Sequence, residues 1–346
     1  SSPLGKAYAP THEDLPVLRR QVLRRTRIDL PQEGGEAMHR HTLALSAALL
    51  CLLALLLFPE EGAQAARDAL ALCAQTVIPS LFPFFVISSL LISCGVGELL
   101  CALLAPLMRP LFSLSGAGAA ALALGLCGGY PVGARTSAEL VESGTLPREE
   151  GERLLIFCNN AGPGFLLGIC GGAVFASPQA GAALYLIHTV SALLTGMLLC
   201  RRLPPLHACA GPCARTSAQR LADALPAAVR GALAGILNVC AFVVFFTVLA
   251  RLALHGLPTR FAVSLPCAGL LGFLELTSGV MALPNSRAGF LLCAGSLGWG
   301  GLSVHCQTLG VLGNSGLTAK YYLRGKAVQS LLSLLLALPA LPFLFP

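Results

Sequence analysis

Residues 261 to 283 read Phe-Ala-Val-Ser-Leu-Pro-Cys-Ala-Gly-Leu-Leu-Gly-Phe-Leu-Glu-Leu-Thr-Ser-Gly-Val-Met-Ala-Leu, an apolar stretch in which Glu275 is the single charged residue. A run of about 20 apolar residues is long enough to cross a bilayer as a helix. An ionisable side chain inside such a run is costly, and by default it indicates a binding site or an ion pathway. This stretch therefore predicts a membrane protein that handles a solute.

The composition of the whole chain supports a polytopic membrane protein. Hydrophobic residues make up 55% of the chain and charged residues only 11%, against about 25% charged residues in a soluble domain; the mean hydropathy is +0.75. From the charge-free stretches we expect about eight to ten membrane segments, some of half length. These stretches are residues 42–58, 69–97, 110–134, 154–187, 231–250, 261–283, 288–304 and 327–346.

The N-terminal region has a different character. In residues 1–37 the arginines are balanced by acids and there is no sustained apolar run, which predicts a disordered or non-native extension. Met38 directly precedes the first apolar run, so we expect it to be the natural start and residues 38–66 to form the first transmembrane helix. A cleavable signal peptide ending near Ala63-Gln-Ala65 is the alternative interpretation.

The positive net charge does not predict a nucleic-acid partner, because the basic residues lie between membrane segments rather than on one face. The positive-inside rule places the basic loop 201–230 in the cytoplasm. The same rule applies to Lys320, Arg324 and Lys326, which come just before the last apolar run. The 14 cysteines are scattered through apolar segments, so we expect no disulfide framework, no metal site and no cofactor.

An internal duplication is predicted from breaks in the apolar runs. Gly- and Pro-rich or polar interruptions occur at residues 124–135 and 158–164, and again at 271–279 and 298–307. Transporters are often built from two structural repeats with broken helices that meet near the membrane midplane. We therefore expect an all-α, polytopic transmembrane helical bundle of two related halves, residues 67–200 and 231–346, with broken or re-entrant helices.

These breaks predict a polar cavity. A helix interrupted within the bilayer must line a cavity or be buried in protein, because its free backbone groups cannot face lipid. Close packing of helices through small residues is the alternative for the glycines, and Arg135 could extend to the membrane interface instead. The candidate substrate-binding residues are Gly129, Tyr130, Pro131, Arg135, Asn159, Asn160, Glu275, Thr277, Ser278, Ser303, His305 and Gln307. His188, alone in an apolar run, is interpreted as a packing residue.

Four motifs carry a resemblance to a known family. They are Gly129-Tyr-Pro-Val-Gly-Ala134, Asn159-Asn-Ala-Gly-Pro163, Glu275-Leu-Thr-Ser-Gly279 and Trp299-Gly-Gly-Leu-Ser-Val-His-Cys-Gln307. From about residue 70 to the C-terminus the chain resembles the sporulation integral membrane proteins that carry a nucleoside recognition, or Gate, domain. The resemblance implies carriage of dipicolinic acid across the outer forespore membrane. Because nucleoside transporters and ferrous-iron carriers share the Gate domain, a nucleoside or other small-solute carrier remains an alternative.

The candidate residues are compatible with a dianion such as dipicolinate. Arg135, helix N-termini and a protonated His305 could neutralise its charge, while Asn159 and Gln307 donate hydrogen bonds. Because Glu275 is unfavourable beside an anion, we expect it either to bind a coupling proton or to pair with Arg135 or His305. Ser303, His305 and Gln307 alternate in a segment expected to be irregular, which places all three in one site.

Two further classes of function, a hydrolase and a scaffold, fit the sequence less well. A membrane hydrolase built from Ser303, His305 and Glu275 is not favoured, because no nucleophile elbow or metal-ligand pair is present, and we expect no enzymatic activity. A non-transporting scaffold of the spore envelope would need no polar cavity. The expected partners are thus a small-molecule anion and the lipid bilayer, without nucleic acid, and the sequence does not indicate an oligomeric state.

Overall fold

The structure is a computed structural model that describes residues 35–93, 96–203, 221–255 and 264–345. Within these ranges the regular structure is helical and no strand occurs, so the predicted all-α class is confirmed. Helix α1, Gly35–Leu57, is apolar and is followed at once by a helix that begins at Pro59. The first helix therefore stops before residue 66, because Pro at a first helical position starts a new helix. Most of the predicted extension, residues 1–34, lies outside the described ranges.

Four helical stretches in the described ranges are long and apolar enough to cross a bilayer, as judged by length and composition. The first joins α2, Pro59–Leu72, to α3, Ile78–Ser93, through the π-helical turn Cys73–Val77. The others are Pro178–Cys200, Ala224–Ala253 and Lys320–Leu344. The second stretch is helix α8, Pro178–Cys200, and the third lies within helix α9, Leu221–Ala253. The fourth consists of helix α14, Lys320–Ala337, and the short helical turns that follow it up to Leu344.

Shorter helices connect α3 to α8. Helix α4, Val96–Phe112, leads through the 3₁₀ turn Gly116–Gly118 into α5, Ala119–Gly128. The two helices are bent by 119°, as in a broken span or a re-entrant loop. The remaining elements before α8 are α6, Val132–Glu142, α7, Arg148–Leu154, and the π-helical segment Gly164–Val174.

The second half contains two apolar stretches that are interrupted at the predicted breaks. The stretch 261–283 holds α10, Leu265–Leu274, and α11, Leu276–Met281, and its first three residues lie outside the described part of the chain. The stretch 288–304 is divided between α12, Arg287–Trp299, and α13, Gly301–Leu312. An extended Glu275 and a left-handed Gly300 each end one helix and start another, so these two stretches consist of half-length segments.

The order of elements recurs along the chain. The first half contains α3, then the pair α5 and α6, then a break before the π-helical segment, and then α8. The second half contains α9, then the pair α10 and α11, then the pair α12 and α13, and then α14. The recurring order leaves out α4 and α7, so the duplication and the boundaries of the two halves remain a prediction. Of the predicted basic loop, residues 221–230 already belong to α9, and residues 204–220 lie outside the described chain.

Helix α14 changes the interpretation of the last basic residues. It begins at Lys320, so Lys320, Arg324 and Lys326 are helical rather than part of a loop. Lys320 is exposed, whereas the side chain of Lys326 is fully buried. The helix can approach its neighbours closely because Gly325 lies against the backbone of Ile156, which leaves no room for a side chain.

Candidate functional site

The first two predicted breaks meet each other. Between α5 and α6, Gly129 has a φ of +76°, a left-handed conformation that ends α5 and that residues with a Cβ rarely adopt. A Cβ at Gly129 would lie 2.8 Å from the amide nitrogen of Gly162, and a Cβ at Gly162 would lie 3.0 Å from the Cα of Gly129. Backbone therefore contacts backbone where the first break, Gly128–Pro131, meets the second, Cys158–Gly164.

The third break is organised by the carboxylate of Glu275. This residue is extended between α10 and α11 and caps α11: Oε1 accepts a hydrogen bond from the Thr277 amide at 3.0 Å, and Oε2 accepts one from the Ser278 amide at 2.6 Å. The Ser303 hydroxyl also donates to Oε1, at 3.4 Å. All three contacts donate to the carboxyl group of Glu275, which thereby satisfies amides that are free at the start of α11.

The fourth break contacts the first and the third. Gly300 and Gly301 both have positive φ values, +94° and +78°. A Cβ at Gly301 would lie 3.0 Å from the amide nitrogen of Leu276, and one at Gly300 would lie 3.3 Å from the hydroxyl of Tyr130. The Tyr130 hydroxyl also donates to the carbonyl oxygen of Leu297 at 3.2 Å. The four breaks thus form one continuous centre.

A cavity opens beside this centre. Polar side chains at the first and third breaks and on α13 line it, together with apolar and aromatic side chains of α3 and α9. The polar lining comprises Tyr130, Glu275, Thr277 and Gln307, and the apolar walls include Leu81, Phe84, Phe85, Val239 and Val243. Apolar walls with a few placed polar groups are typical of a small-molecule site.

Gln307 is the polar lining residue most available to a ligand. Only 4% of the residue is exposed, and it faces the cavity. Its amide has no hydrogen-bond partner among the residues that the structure describes. A buried amide without a partner costs free energy, so a ligand that binds it gains the unused bond.

We expect Gln307→Leu to weaken substrate binding by about ten- to a hundredfold, the value of one hydrogen bond to a charged group. The unfolding temperature should stay close to that of the wild type, because no bond within the protein is lost. Gln329→Leu is the matched control: Gln329 is also buried, but it bonds to Lys326, Asn160 and the carbonyl of His188, so its loss should destabilise the fold. Binding is measured by titration calorimetry and stability by thermal unfolding; unchanged affinity in Gln307→Leu would remove it from the site.

The helical conformation of α13 separates residues that were expected to lie together. Positions four apart share one face of a helix, whereas positions two apart do not. Accordingly Ser303 contacts Glu275 and Gln307 lines the cavity. His305 lies on another side, where its Nδ1 is 2.9 Å from the hydroxyl of Tyr322 and its ring packs edge-on against Trp299 at 4.5 Å. The expectation of an irregular segment was wrong.

The two asparagines of the second break hold the scaffold rather than line the cavity. Asn159 donates to the Thr308 hydroxyl at 2.8 Å and accepts from the Ala134 amide at 3.4 Å. Asn160 donates to the carbonyl oxygen of Phe157 at 2.7 Å and accepts from the Gln329 amide at 3.0 Å. Both side chains are fully buried, and their bonds connect the second break to α6, α13 and α14.

Lys326 and Gln329 are the principal residues that sequence reasoning missed. The ammonium of Lys326 donates to the carbonyl oxygen of Asn159 and, at 2.8 Å, to Oε1 of Gln329. A signal was present: Tyr322, Lys326, Gln329 and Ser333 recur at helical spacing and are all buried. This polar stripe on an otherwise apolar helix would have identified the buried face.

His188 has a structural role consistent with its interpretation as a packing residue. Its Nε2 accepts a hydrogen bond from the Ala161 amide at 3.0 Å, which supports a backbone group freed by the second break. Nearby on α8, the Ser191 hydroxyl is 2.8 Å from that of Ser333. Helix α8 therefore contributes to the same buried polar network as α14.

The remaining predicted residues occupy separate places. The Arg135 side chain is exposed on α6, and Pro131 is buried at the start of that helix. The Ser278 hydroxyl is 2.8 Å from that of Thr247 on α9. The expected pairing of Glu275 with Arg135 or His305 does not occur in the structure, because the α11 amides and Ser303 take up the carboxylate. Of the twelve candidates, the cavity brings together Gly129, Tyr130, Glu275, Thr277 and Gln307.

Comparison with known proteins gives two related findings. Residues 74–198, which include the first two breaks, match the Gate family, described as nucleoside recognition. The chain is 27% identical over 330 residues to the sporulation integral membrane protein YlbJ of Bacillus subtilis (strain 168), a match that covers 84% of this chain and 80% of that relative. No solved structure matches the chain.

Proposed function

We propose that this chain transports a small anionic metabolite, dipicolinate, across a membrane, a proposal supported by its similarity to the Gate family and to a sporulation integral membrane protein. The observation that carries the proposal is the cavity at the junction of four helix breaks. Such a junction is where transporters place their substrate, and the breaks expose backbone groups there that a ligand can bind.

The residues that line the cavity suit an aromatic acid. Phe84 and Phe85 on α3 and Val239 and Val243 on α9 line the cavity, so an aromatic ring can pack against apolar side chains. Gln307 supplies one amide for a carboxylate or a ring nitrogen. These contacts favour a planar ring bearing acceptor groups over a flexible aliphatic acid.

The negative charge of the substrate is neutralised by helix ends in this proposal. Arg135 is exposed and lies outside the lining, and Glu275 adds a negative charge of its own. Gly162, Pro163 and Gly164 line the cavity where the helical segment Gly164–Val174 begins. The positive end of a helix dipole attracts anions, so the carboxylates of dipicolinate bind at this end and away from Glu275.

The outer forespore membrane is the membrane that we propose. The relative in Bacillus subtilis is named a sporulation integral membrane protein, and this chain has helices of spanning length. A protein that supplies a developing spore from the surrounding cell must work in the membrane between them. The expected partners are therefore the lipid bilayer and the transported anion, without nucleic acid.

A nucleoside carrier is the second candidate, and one observation favours it. The carboxylate of Glu275 and the amide of Gln307 lie in one cavity with aromatic walls. A ribose hydroxyl can donate to the carboxylate, while a base stacks on Phe84 or Phe85. The Gate family is also described by nucleoside recognition.

A hydrolase is not proposed, because the side chains that would form it have other partners. The Ser303 hydroxyl donates to Glu275, whereas His305 contacts Tyr322. A nucleophile and its base must lie within hydrogen-bond reach of each other. Transport without chemical conversion is thus the activity that we propose.

The test is uptake by purified protein in liposomes. We expect saturable uptake of labelled dipicolinate that unlabelled dipicolinate competes for and uridine does not. Gln307→Leu should lower uptake, while Arg135→Gln, on the exposed side of α6, should retain it. Uptake of uridine instead would assign a nucleoside carrier, and uptake of neither would favour a scaffold of the spore envelope.

A further inference from the structure

The ammonium of Lys326 occupies a site made of electron-rich groups. It donates to the carbonyl oxygen of Asn159 and to Oε1 of Gln329, and it lies over the ring of Tyr130 at 5.3 Å from the centroid. An ammonium has three donors and no acceptor, and the face of an aromatic ring attracts a cation. Two oxygens accept from the amine and the ring face favours positive charge, so the site suits a cation.

This charge has no anionic partner in the described part of the chain. Lys326 is fully buried, and no carboxylate of the described residues lies within ion-pair distance of it. The titratable side chains around it are Tyr130 at the first break, Cys158 at the second, His188 on α8, His305 on α13 and Tyr322 on α14 itself. None is a carboxylate. An unpaired charge at membrane depth is costly and is retained for function.

The ammonium connects three parts of the structure. Asn159 belongs to the second break and Tyr130 to the first, while Lys326 itself is on α14. A coupling sodium ion in transporters with broken helices is bound by backbone carbonyls of the unwound segment. Here a backbone carbonyl of the unwound segment already binds a cation that is covalently attached to the protein.

We propose that Lys326 is a built-in replacement for a coupling metal ion, and that the coupling ion of transport is a proton carried by its amine. The proposal rests on the transport function proposed above. The amine takes a proton from water on one side of the membrane and releases it to water on the other side as the substrate crosses. Loss of the proton weakens all three contacts together, which frees the first two breaks to move relative to α14.

The first experiment needs no transported solute. In purified Lys326→Ala, the unfolding temperature should fall, and propylammonium, which replaces the lost part of the side chain, should raise it again. 1-Propanol has a similar size without the charge and should not restore stability; Lys320→Ala, exposed on the same helix, should respond to neither. Equal stabilisation by the alcohol, or no response to propylammonium, would overturn the cation site.

The second experiment measures coupling in liposomes. Wild-type protein should accumulate dipicolinate when a pH gradient is imposed, and a sodium gradient should have no effect. Lys326→Met, which preserves the length of the side chain and is checked for folding by size-exclusion chromatography, should still exchange labelled for unlabelled dipicolinate but should not accumulate it. Lys320→Met should behave as the wild type.

The two experiments separate the two proposals. Accumulation by Lys326→Met at the wild-type level, or a sodium-driven uptake by the wild type, would overturn the coupling role. If the wild type transports neither dipicolinate nor uridine, the transport function fails, and rescue by propylammonium still decides whether Lys326 occupies a cation site.

Discussion

Gly133→Ala is expected to destabilise the protein by about 3 kcal/mol or more, the upper range for inserting a methyl group into a packed core. A Cβ at Gly133 would overlap the carbonyl group of Cys158 at the second break, and Gly125 on α5 faces the same carbonyl. The obstacle is backbone on both sides, so no side chain can rotate to make room. Thermal unfolding of purified protein in detergent measures the loss.

Gly310→Ala is the matched control for this change. Gly310 also lies in a helix, α13, but a Cβ there would meet nothing within 4 Å. Because alanine is a better helix former, the control should be about 1 kcal/mol more stable than the wild type. Equal unfolding temperatures of the two variants would show that the first two breaks do not meet as described.

Glu275→Ala is expected to cost about 2 to 6 kcal/mol, since one buried and one partly buried amide of α11 lose their acceptor at about 1 to 3 kcal/mol each. The carboxylate is only 2% exposed, so water cannot fully replace it. Transport should fall to background, because the variant removes the cap that shapes one side of the cavity. Glu275→Gln should lie between the wild type and the alanine variant, since its amide keeps one acceptor oxygen and places a donor against the other amide.

A cap at a more exposed position serves as the comparison for Glu275. Ser286 caps α12 by accepting from the Gly289 amide at 3.2 Å and is only partly buried. Ser286→Ala should therefore cost about 1 kcal/mol and leave uptake unchanged. If Glu275→Ala matched this variant in both unfolding temperature and uptake, the carboxylate would be an ordinary cap without a role in the cavity.

The breaks could be predicted from sequence because their cause is local. A left-handed glycine, or a polar residue in an otherwise apolar run, ends a helix wherever it occurs. Gly129, Glu275 and Gly300 were placed correctly for this reason. The number of full crossings could not be predicted, because an apolar stretch such as 288–304 has the same composition whether it forms one helix or parts of two.

The direction of each side chain could not be predicted, because it depends on which face of a helix packs against its neighbours. Arg135 belongs to the right helix but points outward, and His305 is separated from Gln307 by the helical period. Lys326 was assigned to a loop because the positive-inside rule counts basic residues near a span without regard to the face they occupy. The stripe from Tyr322 to Ser333 shows that helical spacing should be examined before such a count is made.

The glycine contacts between the breaks have a consequence for how such proteins diversify. Gly129 meets Gly162 and Gly301 meets Leu276 through backbone atoms, so the framework does not depend on the side chains that face the ligand. Wall residues such as Phe84 and Val239 can be exchanged at the small cost of a local repacking. One inherited framework can thus be adapted to different cargoes by a few substitutions in its lining, and grafting the wall residues of one carrier onto another is a direct route to changing its selectivity.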